Sequence, residues 1–395
     1  MELDETHQAM EDVVQAFCQR EIEPRIDDLE SGRVSPFEIM RSMSDALDMG
    51  GLITSGAIAD PVVPAILAKQ LARVSPGLCL SVISNLGCGA TIATRGSADL
   101  VARCGLPVLS LKKVGCWALT EPESGSDAFA LKTTARIEGD EVVLNGSKAF
   151  SSNAPEAEVL LIYARLAGGE AGDKRRIFPV VVERGTPGLE TGPPLEKFGM
   201  HASPTGDIFL DDVRVPRENL LGDPDRPARG TAEQTLASER IVIVAMCLGV
   251  IERCLDEAIV HARERVQFGK PIAAFQLTQQ KLARIYVAQE NVRNSMFALI
   301  HAQETRTVSE RQVSAAKWYA TEAAASAALD AMQIMGGAGY LREHAPERMF
   351  RDIKLWTVGG GTNEIQQLTI AKDLLRQHGF EIDLAGGFRV EGEGA

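Results

Sequence analysis

A chain of 395 residues, 45% hydrophobic and 24% charged, is long enough to bury a sizeable core and to divide into two or three domains. Its net charge of −13 excludes the basic face that a nucleic-acid binder needs. Seven cysteines, an odd number with no CxxC pair, argue against a disulfide framework or a zinc site and fit reduced thiols in a cytoplasmic protein.

Residues 1–115 read as a helical domain. "HQAMEDVVQAFCQREI" spaces Met10, Val13, Val14, Phe17 and Ile22 at helical intervals, and Pro24 fits the helix end. The same N-terminus is acidic and amphipathic, without the basic start and apolar centre of a signal peptide. The longest apolar run, Ile241 to Ile251, falls short of the roughly 20 residues that a membrane span needs, so no span is expected.

The texture changes near Cys116, and residues 116–225 read as a β domain. "TTARIEGDEVVLNGSKAF" alternates, with turn signals at Gly139-Asp140 and Asn145-Gly146. "EVLLIYARL", "IFPVVVERG" and "DIFLDDVRV" are further β-rich runs. Helical signal returns near Thr231 and fills residues 226–380, where "LASERIVIVAMCLGVIERCLDEAIVHARERVQF" is apolar nearly all round, as in the middle of a bundle. The last stretch, 381–395, carries turn residues and acidic charge and is expected to be poorly ordered. Helices, then strands, then helices disfavour a Rossmann chain, and neither GxGxxG after a strand nor GxxxxGK[ST] occurs.

Four segments stand out. "CWALTEPESGSD", from Cys116 to Asp127, offers the hydroxyls of Thr120, Ser124 and Ser126; alone it reads as a turn leading into a hairpin. "RVQFG", Arg265 to Gly269, reads alone as a basic helix end, and "QIMGGAGY", Gln333 to Tyr340, as a glycine helix cap. A triple glycine, Gly359 to Gly361, sits in "KLWTVGGGTNEIQQ", and three such residues in a row suggest a loop with something pressed against it.

Taken together and in this order, with "NGSKAF" and "FGMHASPTGDIFLDDVRVPRENLLG" between them, these segments resemble the acyl-CoA dehydrogenase family of flavoproteins. The resemblance covers Cys116 to Leu375 strongly and the N-terminal helices more weakly. It implies an α+β multidomain fold: an N-terminal helical domain, a middle β-barrel-like domain and a C-terminal four-helix-bundle-type domain. It also implies FAD as cofactor, an acyl-CoA substrate, an electron-transfer flavoprotein as acceptor, and a homotetramer built as a dimer of dimers.

By match to the family, Trp117, Ala118, Leu119, Thr120 and Ser126 would line the flavin, with Ser126 also toward the substrate. The family's Trp-Ile-Thr after the hairpin is here Phe150-Ser151-Ser152, which keeps an aromatic and a hydroxyl but makes both smaller. Arg265 would meet the pyrophosphate, with Phe268 and Gln276 beside the cofactor. Gln333, Gly336 and Gly337 would reach the FAD of a neighbouring subunit, and Thr362 and Glu364 would lie on the adenosine side.

The family's reaction needs a carboxylate to remove an α-proton and donors for the thioester carbonyl. Many members carry that Glu where this chain has Gly360, which has no side chain. Isovaleryl-CoA and long-chain members place it before an Arg at the start of the long buried helix. Here that pair is Glu239-Arg240, at the edge of an apolar run where desolvation raises a carboxyl pKa. Read locally, the two are ordinary first-turn residues; the bare Gly360 favours Glu239 as the base, with Gly360 offering its N–H and Arg240 lining the substrate side. Ala237 replaces an Asp that often touches the pantetheine, which leaves an acyl carrier protein open as the thioester's carrier. A flavin monooxygenase on the same scaffold and an inactive partner subunit are the other readings.

Overall fold

The computed structural model describes residues 3–167, 176–224, 231–382 and 388–390, the side chains of 231–238, 381–382 and 388–390 excepted. The chain forms two compact units, Leu3–Leu236 and, from Ala237 on, a C-terminal unit.

The first unit opens with helices α1 (Glu5–Phe17), α2 (Ile26–Glu30), α3 (Pro36–Ala46), α4 (Met49–Thr54), α5 (Val62–Val74), α6 (Pro76–Arg95), α7 (Ala98–Leu100) and α8 (Leu106–Leu109). Their starts follow from capping chemistry: the Asp4 carboxylate accepts from His7 N, and Ser75 Oγ accepts from Leu78 N ahead of Pro76. Helix α6 is long and apolar enough by length and composition to cross a membrane, with a mean hydropathy of 1.4, and 67% of that stretch is buried inside the protein. It is therefore this helix, and not the Ile241–Ile251 run, that comes nearest to a span.

A seven-stranded sheet follows: β1 (Gly115–Ala118), β2 (Thr134–Glu138), β3 (Glu141–Ser152), β4 (Val159–Leu166), β5 (Ile177–Glu183), β6 (Leu189–Thr191) and β7 (Thr205–Pro216). Its order is β1-β4-β2-β3-β7-β6, with β5 antiparallel to β4. Helices and sheet share a core, in which Cys88, Ile92 and Val108 meet Val159, Leu161, Tyr163 and Val181.

The Gly139-Asp140 turn joins β2 to β3, but Asn145-Gly146 lies inside β3 and is not a turn. Gly146 sits at φ 141° where the β3–β7 register shifts, so it makes a bulge. A bulge satisfies the need for positive φ as well as a hairpin turn does. A Cβ on Gly146 would come 2.7 Å from Thr133 Cα. Asn145 instead bonds across the sheet, donating to Asp212 Oδ1 at 2.8 Å and accepting from Asp212 N at 2.9 Å.

One buried ion pair fixes the loop after β1. Lys148 Nζ donates to Leu119 O at 3.0 Å and to Glu121 Oε1 at 2.7 Å. The Glu121 carboxylate also accepts from Lys132 N at 2.6 Å and Thr133 N at 3.0 Å. Burial alone would push the Glu121 carboxyl up; the Lys148 charge and these donors outweigh it and hold it below its usual range. Lys148→Met should therefore lower stability by about 3 kcal/mol, read as a lower thermal midpoint, because it strands a buried carboxylate. Lys148→Met with Glu121→Gln should recover most of the loss.

The C-terminal unit is built on α9 (Thr231–Glu264), which buries Ile241, Ile243, Val244, Met246, Cys247, Leu248, Val250 and Ile251 on consecutive turns. A hairpin, β8 (Val266–Gln267) and β9 (Lys270–Pro271), leads to α10 (Gln276–Glu304), α11 (Glu310–Met335), α12 (Ala345–Ile353) and α13 (Asn363–Gln377). A capping box, Ser309 with Gln312, starts α11. Helix α11 packs against α10, α12 and α13. In the tail, β10 (Phe380–Ile382) pairs antiparallel with β11 (Phe388–Val390), an order the composition did not suggest; 383–387 and 391–395 lie outside the described residues.

Candidate active site

In the first unit the expected flavin-lining residues collect at one place in the sheet. Ala149 N donates to Thr120 O at 2.9 Å, which sets the end of the β1 segment beside Phe150. Ala118 and Leu119 point their side chains into the core, so only their backbone is available to a ligand. Trp117 is partly buried and tilts against Tyr163, ring centroids 5.1 Å apart. Ser126 is exposed on the following turn, and Ser152 is half-buried at the end of β3.

Phe150 departs most from ordinary strand behaviour. The register shift between Lys148 and Ser151 swings it out, 68% exposed, at φ 55°. A non-glycine residue in the left-handed region costs about 1–2 kcal/mol and marks a site where the surroundings over-determine the backbone. In the same sheet, Ser151 Oγ and Trp117 Nε1 are buried without a hydrogen-bond partner among the described residues.

The C-terminal unit repeats this device. Phe268, in the β8–β9 turn, is 92% exposed at φ 53° and meets Phe275 edge-on at 6.0 Å. Arg265, Gln276 at the start of α10, and Gln333, Gly336 and Gly337 at the end of α11 are all exposed. In the first unit an aromatic face held out at a strained φ, with buried donors that lack a partner among the described residues, suits a planar ring system; in the C-terminal unit a second such face near an exposed guanidinium suits phosphates. The residues present therefore fit FAD.

Glu239 and the triple-glycine loop meet in the same unit. Arg240 Nε donates to Gly360 O at 3.1 Å, and Ile243, four residues after Glu239 on the same helical face, points at Gly360. Gly360 and Gly361 lie at φ 63° and 83°. A Cβ on Gly360 would stand 2.6 Å from Ile243 Cδ1, and one on Gly361 2.7 Å from Gln366 Nε2. Both positions thus favour glycine by conformation, and a side chain at either would also have to displace the end of Ile243 or Gln366, whereas Gly359 has neither constraint. The Gly360 N–H has no acceptor among the described residues.

Glu239 is partly buried and makes no hydrogen bond or ion pair among the described residues. Burial pushes its carboxyl up to about 7, against the lowering pull of Arg240 and Lys317. Thr362 caps α13, its hydroxyl accepting from Ile365 N at 3.3 Å. Glu364 is exposed on the first turn, where its own backbone N–H and the Thr362 hydroxyl hold its carboxyl below the usual range. The side chain of Ala237 lies outside the described residues. Sequence reasoning missed Lys317, which reaches this loop from α11; its only signal was a lone lysine in the alanine-rich "VSAAKWYATEAAA".

Comparison with known proteins gives one family along nearly the whole chain. Sequence profiles of the acyl-CoA dehydrogenase N-terminal, middle and C-terminal domains match residues 4–110, 116–213 and 229–375. The mouse mitochondrial short-chain specific acyl-CoA dehydrogenase is 35% identical over 384 residues, 96% of this chain and 92% of the relative. The glutaryl-CoA dehydrogenase of Desulfococcus multivorans is 36% identical over 377 residues, 93% and 96% of the two chains. A glutaryl-coenzyme A dehydrogenase solved in complex with glutaryl-CoA superposes with a TM-score of 0.89 at 34% identity, covering 95% of this chain and 96% of that one.

Proposed function

Because the chain belongs to the acyl-CoA dehydrogenase family, whose members use FAD to dehydrogenate acyl-CoA thioesters, we propose that Glu239 is its catalytic base and Gly360 its carbonyl donor. The observation that carries this reading is the partition of roles around one loop. Gly360 sits at a φ that side chains rarely adopt, and the helix it packs against supplies a partly buried carboxyl, unpaired among the described residues, with a pKa of about 7. A carboxyl poised there can take an α-proton at neutral pH and still be a strong enough base to do so.

The α-proton goes to Glu239 as the C–H bond breaks, and the electron pair moves toward the thioester carbonyl. The Gly360 N–H hydrogen-bonds the carbonyl oxygen, where negative charge develops. Arg240, buried and fixed to Gly360 O, keeps helix and loop in register. FAD, when bound, supplies the acceptor for the β-hydrogen, which leaves as hydride. Phe150, Ser152, Trp117 and Thr120 would hold its ring side, and Arg265, Phe268, Gln276, Thr362 and Glu364 its diphosphate and adenosine side. Gln333, Gly336 and Gly337 would serve a neighbouring subunit's cofactor. A homotetramer is supported by Leu277, Tyr286 and Val287, which stand exposed along α10. An electron-transfer flavoprotein as acceptor, supported by family membership, and a cytoplasmic location, supported by seven cysteines without a disulfide pattern, complete the reading.

Base placement on the helix favours a branched or bulky acyl chain. Anaerobic addition of an acyl-CoA panel should bleach the flavin absorbance, fastest with such a chain, and the rate should rise with pH through about 7 as Glu239 ionises. The same acyl groups carried on acyl carrier protein should bleach it more slowly. No bleaching with any thioester, together with an oxygenated product in air, would move the chain to the monooxygenases.

A further inference from the structure

We propose that Lys317 is a positioning residue: from inside α11 it fixes the Gly360–Gly361 turn, and so holds the carbonyl-binding N–H of Gly360 in place for Glu239. The inference rests on Glu239 being the base. A lysine is almost never fully buried unless a carboxylate pairs with it. Lys317 is 0% exposed, and among the described residues no carboxylate lies within ion-pair distance of its Nζ. Its hydrogen-bond partners are neutral: Gly361 O at 2.8 Å and Asn363 Oδ1 at 3.0 Å. Thr321 Oγ1, one turn on, donates to the same Asn363 oxygen at 3.2 Å.

The loop is thereby gripped on successive peptides. Arg240 Nε holds Gly360 O at 3.1 Å, while Lys317 and Gln366 Nε2 hold Gly361 O at 2.8 and 3.0 Å. With both carbonyls pinned, the peptide planes on either side of Gly361 are set, and with them its left-handed φ of 83°; this anchors the turn at the residue next to Gly360, whose N–H lies on the preceding peptide. The core does not need a cation here: Val313, Ala316 and Ala320 around Lys317 on α11 are apolar and buried, and a methionine would satisfy them. A charge kept at such desolvation cost is placed for the loop.

The charged and titratable groups facing it are Glu239, Arg240 and Cys247 from α9 and Glu364 from α13. Burial pushes the Lys317 ammonium down to about 8, so it remains a cation at neutral pH. Its field opposes the rise that burial imposes on Glu239.

The test uses the FAD-loaded Lys317→Met and Lys317→Arg proteins. Amide hydrogen exchange over 359–363 reports the loop, and the pH dependence of anaerobic flavin bleaching at saturating acyl-CoA reports the base. Lys317→Met should exchange faster at the loop and bleach about 10- to 100-fold more slowly, because a reacting group displaced by an ångström loses that much. Its acid limb should move up by about one pH unit, as expected when an opposite charge is removed from beside a carboxyl. Lys317→Arg should restore the limb. If Lys317→Met does not fold, Lys317→Gln, which keeps a donor without the charge, should show the same limb shift. Unchanged loop exchange and an unchanged limb in the uncharged variant would overturn the proposal. Failure of the base reading looks different: Glu239→Gln would bleach normally while loop exchange in Lys317→Met still rose.

Discussion

Glu239→Gln should give a yellow, FAD-loaded protein whose flavin bleaches with acyl-CoA between about 10² and 10⁴-fold more slowly, the range a general base contributes. Retained cofactor separates this from collapse of the site. Stability should move the other way. The Glu239 pKa is near 7 in the folded protein, against 4.5 for an unperturbed carboxyl. Between those values the unfolded chain releases a proton that the folded chain keeps. The stabilising contribution of the neutral carboxyl is thus full below about 4.5 and is lost as pH rises through about 7. Glutamine never ionises. Thermal midpoints of wild type and Glu239→Gln should therefore diverge in favour of the variant across this window and keep a constant gap above it. A bleaching rate equal to wild type, or a variant less stable at pH 8, would remove Glu239 from the mechanism.

Transferring the carboxylate to the loop should fail. In Glu239→Gly with Gly360→Glu, a side chain must adopt φ 63°, which costs about 1–2 kcal/mol outside glycine. Its Cβ must also displace Ile243 Cδ1, only 2.6 Å away, and such overpacking costs about 1–3 kcal/mol. The double variant should melt below wild type and show no bleaching. Adding Ile243→Ala should relieve the crowding and leave the backbone cost, so the midpoint should recover only in part. Full bleaching by the transferred carboxylate would show that the loop can accept a side chain and that helix placement of the base is not built into this fold.

Much of this was legible in the sequence, because the informative features are local or periodic. The all-round apolar run from Ile241 places α9 in a core, and the hydroxyl and glycine segments together carry the family resemblance. With that resemblance, the bareness of Gly360 turns attention to Glu239 as the proposed base. What stayed hidden depends on contacts distant in sequence. Asn145-Gly146 carries the residues of a turn, and only the partner strand β7 and Thr133 make it a bulge. Phe150 reads as one more alternating strand residue until the register shift beside it turns the ring outward. Lys317 looks like a surface lysine because no residue within a helical turn of it is acidic, and Glu322, five residues on, engages Trp318. Its partners lie more than forty residues away.

All seven cysteines are buried. Burial pushes the thiols of Cys18, Cys88, Cys247 and Cys254 up to about 12, and it raises those of Cys79, Cys104 and Cys116 as well. A dehydrogenase of this family makes α,β-unsaturated thioesters, which are Michael acceptors toward thiolates. The thiolate is the reactive species, and at neutral pH this chain presents almost none. The arrangement of its sulfur thus makes the protein a poor target for alkylation by the electrophile it releases.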